Sequence, residues 1–287
     1  MLPTARPAGR DLPQGGKTAA GVTIMIHQPP HQAFRPALSV RPLPVISVLG
    51  LGRQGVMTAA VLADLGHHVI GIDVDPDRVE TLAQGRIAHI EPALAALVRR
   101  GVLAGRIQAS DDILPAVLAS DVTIVTGGCD IAEPGQSSCH ALQATGRTLG
   151  QILALKDGFH VVMQQAPVLP GTIRGVLQQA IQQVSGLTAG RDFGICHWPA
   201  RPSNSPAGGE IRIPSGNVLG VGDRRTAVRI GAILAQLGVQ PTVTSIEVAE
   251  MAGHVGFDAP EAPGRDAPAH RGAPMLDALA GLCGVPA

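Results

Sequence analysis

From Val45 onward the chain alternates short runs that are apolar at nearly every position with stretches of helical spacing, and few architectures accommodate that pattern. The runs are VISVLG (45–50), HVIGID (68–73), RIQAS (106–110), DVTIVTGG (121–128), HVVMQQ (160–165), DFGICH (192–197) and NVLGVG (217–222). A strand with one wet face alternates apolar and polar residues, whereas runs apolar throughout belong to strands covered on both faces. Helix-like stretches lie between them at 77–84, 92–104, 141–155, 173–184 and 225–237. Strands separated by helices of this length imply crossover units, hence an α/β fold built on a doubly wound, mostly parallel sheet.

Composition narrows the function classes. The 287 residues hold 22 Lys plus Arg against 22 Asp plus Glu, a balance that argues against a nucleic-acid partner, because polyanion binders carry a basic excess. Four cysteines do not make a disulfide framework and no CxxC pair marks a zinc site. His67, His68, His140, His197 and His254 are scattered, with no HxxxH or HExxH spacing on a helix, so no metal is expected. No apolar run approaches the roughly 18–20 residues that span a bilayer, and the expected setting is the cytoplasm, without a membrane partner. Aromatic residues are only 2% and Tyr is absent, so the core must rest on Ala, Val, Leu and Ile.

The two ends differ from the middle. Residues 1–44 are rich in Pro and Arg with no sustained period, and read as a disordered extension without a secretory apolar region. Residues 45–245 form the expected folded domain. Residues 246–257 read as a helix remnant, and 258–287 as an irregular tail of Ala, Pro and Gly with no core of its own.

The strongest local signal is Gly50-Leu51-Gly52-Arg53-Gln54-Gly55, directly after the strand VISVLG and before the helical pattern VMTAAVLADLG. A bare GxGxxG is weak, but this order gives each glycine a task. The first permits the tight turn, the second lets a pyrophosphate approach the backbone, and the third lets the helix pack close to the sheet. A helix N-terminus then offers free N–H groups to phosphate. The next strand ends at Asp73, 18 residues after Gly55, where a carboxylate accepts ribose hydroxyls and repels a 2′-phosphate. The expected cofactor is therefore NAD. Its candidate residues are Gly50, Gly52, Gly55 and Asp73, with Arg53 and Gln54 lining the turn through their backbone. Arg78 is placed either at the adenosine end or in solvent.

Residues 45–251 resemble the UDP-glucose/GDP-mannose 6-dehydrogenase family. The resemblance is carried by VLGLGRQG, GIDVDPDRVETLAQG, IEPALAALVRRGVLAGRI, DVTIVTGG, APVLPGT, DFGICHWPARP and SIEVAEM, in family order. It implies a Rossmann-like NAD-binding domain, a nucleotide sugar as substrate, and oxidation of a CH–OH group to a carboxylate through a cysteine-bound thioester. It also implies that Cys129 lies near the nicotinamide end, where the family has a threonine.

The chain departs from the family where chemistry is expected. Ala166 and Pro167 replace two hydroxyl residues, Ala200 and Asn204 replace two glutamates, and Gly253 and Phe257 replace a lysine and an asparagine. Cys283 superficially matches the nucleophile, but no Lys-Asp follows it and nothing nearby lowers its pKa. No residue is therefore assigned a catalytic role. Prolines 260, 263, 268 and 274 forbid the long central helix of the family, so its dimer helix is expected to be largely lost, with a frameshift near codon 257 as the suggested cause. The expectation is a truncated, catalytically inactive nucleotide-sugar dehydrogenase domain. A non-catalytic NAD-binding or regulatory module and a decayed gene product stand as alternatives.

Overall fold

The structure, a computed structural model, describes residues 43–87, 91–128, 130–133, 136–199 and 218–255. Residues 1–42 of the expected extension, Cys129, Ala200, Asn204, Phe257, Cys283 and the tail lie outside them.

Ten strands and eight α-helices are described. In chain order they are β1 (Ile46–Leu49), α1 (Arg53–Asp64), β2 (Val69–Ile72), α2 (Pro76–Ala83), α3 (Pro92–Leu103), β3 (Ile107–Ser110), α4 (Ile113–Ala119) and β4 (Val122–Val125). Next come β5 (Asp130–Glu133), β6 (Gln136–Ser138), α5 (His140–Leu153) and β7 (His160–Gln164). A π-helical segment, Ile173–Gln178, runs into α6 (Gln179–Ser185). The last elements are β8 (Phe193–His197), β9 (Val218–Val221), α7 (Arg224–Gln236), β10 (Thr242–Thr244) and α8 (Ile246–Val255).

Eight strands form one sheet in the order β10-β9-β8-β7-β4-β1-β2-β3, while β5 and β6 pair as a separate hairpin. Every pair in the large sheet is parallel except β8 with β9, in agreement with the doubly wound reading. The wholly apolar runs have the expected cause. Along β7, Val161 and Met163 enter the core on one face and Val162 enters the core on the other. Ile195 and Cys196 divide between the faces in the same way. One face is covered by α1, α3 and α7, the other by α4, α5, α6 and α8.

With so few aromatics, helices must approach closely. A Cβ added to Gly150 of α5 would lie 2.7 Å from the Ile181 carbonyl oxygen of α6. Asp75, Asp112 and Asp223 cap α2, α4 and α7 by accepting from the N–H groups of Asp77, Leu114 and Thr226.

Five features depart from expectation. Helix α1 begins at Arg53, inside the glycine turn, three residues before the apolar pattern starts. Helix α4 has only seven residues and a proline in its first turn, too short for periodicity to reveal. Strand β10 spans three residues, and the β5–β6 hairpin is built from mostly polar ones. The stretch from Ile173 opens as a π-helix, which no spacing rule anticipates.

A polar chain threads β1, β4 and β7 near their amino ends. His160 Nδ1 lies 3.0 Å from the Ser120 carbonyl oxygen and must donate to it, so the neutral ring accepts at Nε2 from Thr123 Oγ1, 2.8 Å away. Thr123 then accepts from Ser47 at 2.7 Å, and Ser47 from Ser120 at 3.0 Å. Burial, reinforced by the Lys156 charge, pushes the His160 pKa down to about 4. Burial does the same to His197, also to about 4. An unfolded histidine titrates near 6.5. Between these values the unfolded chain binds protons that the folded chain refuses, so stability is full above pH 6.5 and falls as pH drops towards 4. Each histidine should remove about 2–3 kcal/mol of stability between pH 7 and 4.5. Urea unfolding at both pH values measures it, and a midpoint unchanged between them contradicts the assignment.

Candidate functional site

Strand order reverses between β1 and β4, because β1 continues to β2 on one side while β4 continues to β7 on the other. In open α/β sheets a ligand crevice lies outside the carboxyl ends of the strands at such a point. Here that edge carries the turn Gly50–Gly55 after β1 and the segment Thr126–Gly128 after β4.

The turn is held from both sides. Gly50 takes φ +96°, a left-handed conformation suited to glycine, and its N–H donates to the Ile72 carbonyl at 2.8 Å. Gly55 sits so close beneath that a Cβ there would lie 1.8 Å from the Gly50 carbonyl oxygen. Thr126 Oγ1 locks the arrangement, lying 2.8 Å from the Leu49 and 3.0 Å from the Gly50 carbonyl oxygens. Above Gly52 the space is open, with nothing within 4 Å of where a side chain would stand. The N–H of Val56 makes the first intrahelical bond of α1, to Gly52. The N–H groups of Arg53, Gln54 and Gly55 precede it and have no intrahelical acceptor.

Asp73 follows β2 and is almost fully buried. Its Oδ2 accepts from the Leu51 N–H at 2.6 Å and its Oδ1 from the Asp75 N–H at 3.0 Å. Burial raises its pKa, but these two N–H bonds and the Arg78 guanidinium outweigh that and hold the carboxyl below its usual range. Arg78 lies beside both aspartates. Its Nη1 lies 3.4 Å from Asp73 Oδ2 and its Nε 3.3 Å from Asp75 Oδ2, with the side chain half exposed. Val74, between the two aspartates, is 97% exposed and presents an apolar surface at the rim.

Arg53 and Gln54 stand in the turn, where the expectation concerns their backbone, and their side chains are placed as well. Arg53 forms an ion pair with Glu91, the residue that opens α3, and Gln54 Nε2 is buried without a hydrogen-bond partner. The expected role of Cys129 falls outside the described residues.

Sequence reasoning missed the polar groups at the ends of β7 and β8. Gln164 Nε2 donates to the carbonyls of Gly127 at 2.7 Å and Ala166 at 3.2 Å. Gln165 Oε1 accepts from Thr58 of α1 at 3.0 Å. His197 Nδ1 lies 3.0 Å from the Gln164 carbonyl oxygen. Doubled glutamines after an apolar run were the available signal. Cys196 is buried among apolar groups that push its thiol pKa far up, so it holds no thiolate.

Two of the quoted segments meet in space. Glu250 of SIEVAEM, fully buried, accepts from the N–H groups of Gly171 at 2.6 Å and Ile173 at 2.7 Å, within and just after LPGT. Its carboxylate thereby caps the helix that leads into α6.

A cavity of about 310 Å³ lies at the opposite, amino-terminal edge of the sheet, bordered by Lys156, Phe159, Arg191 and Arg225. None of the sequence-derived site residues borders it, and the free N–H groups of α1 face the other edge. Among the described residues no three His, Cys, Asp or Glu side chains are grouped to hold a metal ion. No helix there is long and apolar enough to cross a membrane.

Comparison with known proteins agrees with this fold. Residues 45–238 match the family described as "UDP-glucose/GDP-mannose dehydrogenase family, NAD binding domain". The chain is 33% identical over 206 residues to a GDP-mannose 6-dehydrogenase from Pseudomonas aeruginosa, covering 72% of this chain and 47% of that one. It is 32% identical over 211 residues to a UDP-glucose 6-dehydrogenase from Haloferax volcanii, covering 72% and 49%. A crystal structure of a ternary complex of the Pseudomonas aeruginosa GDP-mannose dehydrogenase superposes with a TM-score of 0.68 at 32% identity, over 73% of this chain and 48% of that one. A UDP-glucose dehydrogenase from Pyrobaculum islandicum gives 0.66 at 29% identity, over 75% and 49%. The chain thus spans about half the length of the curated relatives it matches.

The turn predicts opposite behaviour for two of its glycines. Gly55→Ala must push α1 off the Gly50 carbonyl and should cost about 1–3 kcal/mol of stability in urea unfolding. Gly52→Ala meets no atom and should leave stability within about 0.5 kcal/mol of the parent, while its methyl blocks the open cradle and weakens dinucleotide binding in calorimetry. Equal stability losses in the two variants contradict this picture.

Proposed function

The chain belongs to the UDP-glucose/GDP-mannose dehydrogenase family and carries its NAD-binding domain, and from that premise we propose that it binds NAD across the β1–β4 crevice without turning over a nucleotide sugar. The observation that carries the reading is the set of unbonded N–H groups at Arg53, Gln54 and Gly55 beneath the open space over Gly52. These groups fit a pyrophosphate, because they sum a local positive dipole with available donors. Asp73 fits the adenosine ribose: each carboxylate oxygen has two lone pairs, and Oδ1 is occupied only by the Asp75 N–H. Arg78 steadies that carboxylate and keeps it ionised. Val74 offers an apolar rim for the adenine. When bound, NAD supplies the hydride acceptor that oxidation of a CH–OH group requires.

The relatives are named for GDP-mannose and UDP-glucose, so a nucleotide sugar is the substrate class of the lineage. Loss of turnover in this chain is inferred from its residues. Acyl-type oxidation needs a nucleophile, an acid–base group and donors for a developing oxyanion. Ala166, Pro167 and Gly253 bring no such groups, and the Cys196 thiol is sealed in the core. At Gly253 a Cβ would lie 2.8 Å from the Pro199 Cβ, so the chain has closed over that position.

Calorimetry with NAD, NADP and ADP-ribose tests the binding half of the proposal. NAD should bind more tightly than NADP, and Asp73→Ala should weaken NAD binding by about 1–2 kcal/mol, as for loss of a charge-assisted hydrogen bond. NADH formation with GDP-mannose or UDP-glucose should be undetectable. Equal affinity for the two cofactors, or robust turnover, overturns the corresponding half.

A further inference from the structure

Two buried hydrogen-bond acceptors at the carboxyl ends of β7 and β8 have no donor. They are Gln164 Oε1 and His197 Nε2, and both residues are fully buried. We propose that this pair is a subsite for the carboxamide NH2 of a bound nicotinamide, an inference that rests on the dinucleotide reading above.

The chemical identity of both atoms follows from their neighbours. The Gln164 amide nitrogen faces two carbonyl oxygens, of Gly127 and Ala166, and only an NH2 group can serve both. The other amide atom is therefore the oxygen, a pure acceptor. His197 Nδ1 faces the Gln164 carbonyl oxygen, which accepts only, so Nδ1 carries the proton. The ring is neutral at ordinary pH, with its pKa pushed down to about 4 by burial, which leaves a bare lone pair on Nε2.

The two residues are also placed together. Gln164 and His197 are register partners in neighbouring parallel strands, and side chains at such positions share one face of the sheet. Gly253 of α8 stands over His197, and a Cβ there would lie 3.7 Å from Nε2. On the crevice side the Gln164 amide is tied to Gly127, which is exposed and has nothing within 4 Å of where a side chain would stand.

An unpaired buried acceptor is costly, and native proteins seldom keep two side by side without a partner. Strands β4, β7 and β8 form the second half of a doubly wound sheet, the half that takes the nicotinamide portion of a dinucleotide. On that portion the ribose carries O–H donors, and the carboxamide alone presents two N–H donors on one atom. Two acceptors without donors match two donors on one nitrogen.

Calorimetry on the whole chain tests this with three probes: NAD, 3-acetylpyridine adenine dinucleotide, in which a methyl replaces the NH2, and ADP-ribose, which lacks the ring. NAD should bind about tenfold more tightly than the acetylpyridine analogue. His197→Phe should erase most of that ratio while leaving ADP-ribose affinity unchanged. In the parent protein, the ¹⁵N resonance of His197 Nε2 should shift on addition of NAD and stay in place with ADP-ribose, a readout that holds even if the variant does not fold. Equal affinity for NAD and the analogue with a stationary Nε2 resonance means that the pair holds a bound water only, and overturns the inference while the dinucleotide reading stands. If ADP-ribose itself fails to bind, the dinucleotide reading falls and takes the inference with it.

Discussion

The architecture depends on how closely α1 lies against the end of β1. The Gly55 backbone sits where a single added carbon would fall 1.8 Å from the Gly50 carbonyl oxygen. That contact fixes the start of the helix inside the turn and aims its first N–H groups at the crevice. It also sets Thr58 against Gln165 at the far side of the sheet's switch point. Thr126, just after β4, clamps the same turn through two carbonyls, so the strands on either side of the crevice are tied to one loop. Ligand geometry here is a by-product of backbone packing.

Asp73 shows how one residue serves structure and site together. Its bond to the Leu51 N–H staples the end of β2 to the turn after β1, and its second bond shapes the approach to α2. The charge that the proposed ribose contact calls for is thus maintained by groups that also hold the fold. Glu250 plays a comparable part on the other half by joining α8 to the helix after β7. Burial raises its pKa against the pull of the two N–H bonds, so the cap works in a dry place. The sheet's carboxyl edge is therefore braced on both sides of the crevice by carboxylates that accept backbone N–H groups.

What could be read from sequence follows the range of the interactions involved. Wholly apolar runs state that a strand is covered twice, and the order of glycines in GLGRQG states what the backbone must do there. Both are local, and both were legible. The side chains of Arg53, Gln164 and His197 acquire meaning only from partners tens of residues away: Glu91, Gly127 and Gly253. No spacing rule reports those meetings. The apolar stripe of α1 begins at Val56, three residues into the helix, because the helix is started by the turn and not by the stripe. The short α4 and three-residue β10 fall below the length at which periodicity carries a signal.

The central claim is that the open turn after β1 is a preformed cradle for a dinucleotide. Amide hydrogen exchange of the N–H groups of Arg53, Gln54 and Gly55, followed with and without saturating NAD, addresses it most directly, because free helix N-termini exchange readily unless a ligand takes their protons. The account predicts marked slowing at these three amides on addition of NAD, with little change at Leu51, whose N–H is already bound to Asp73. Unchanged exchange at all three amides in the presence of saturating NAD would contradict it.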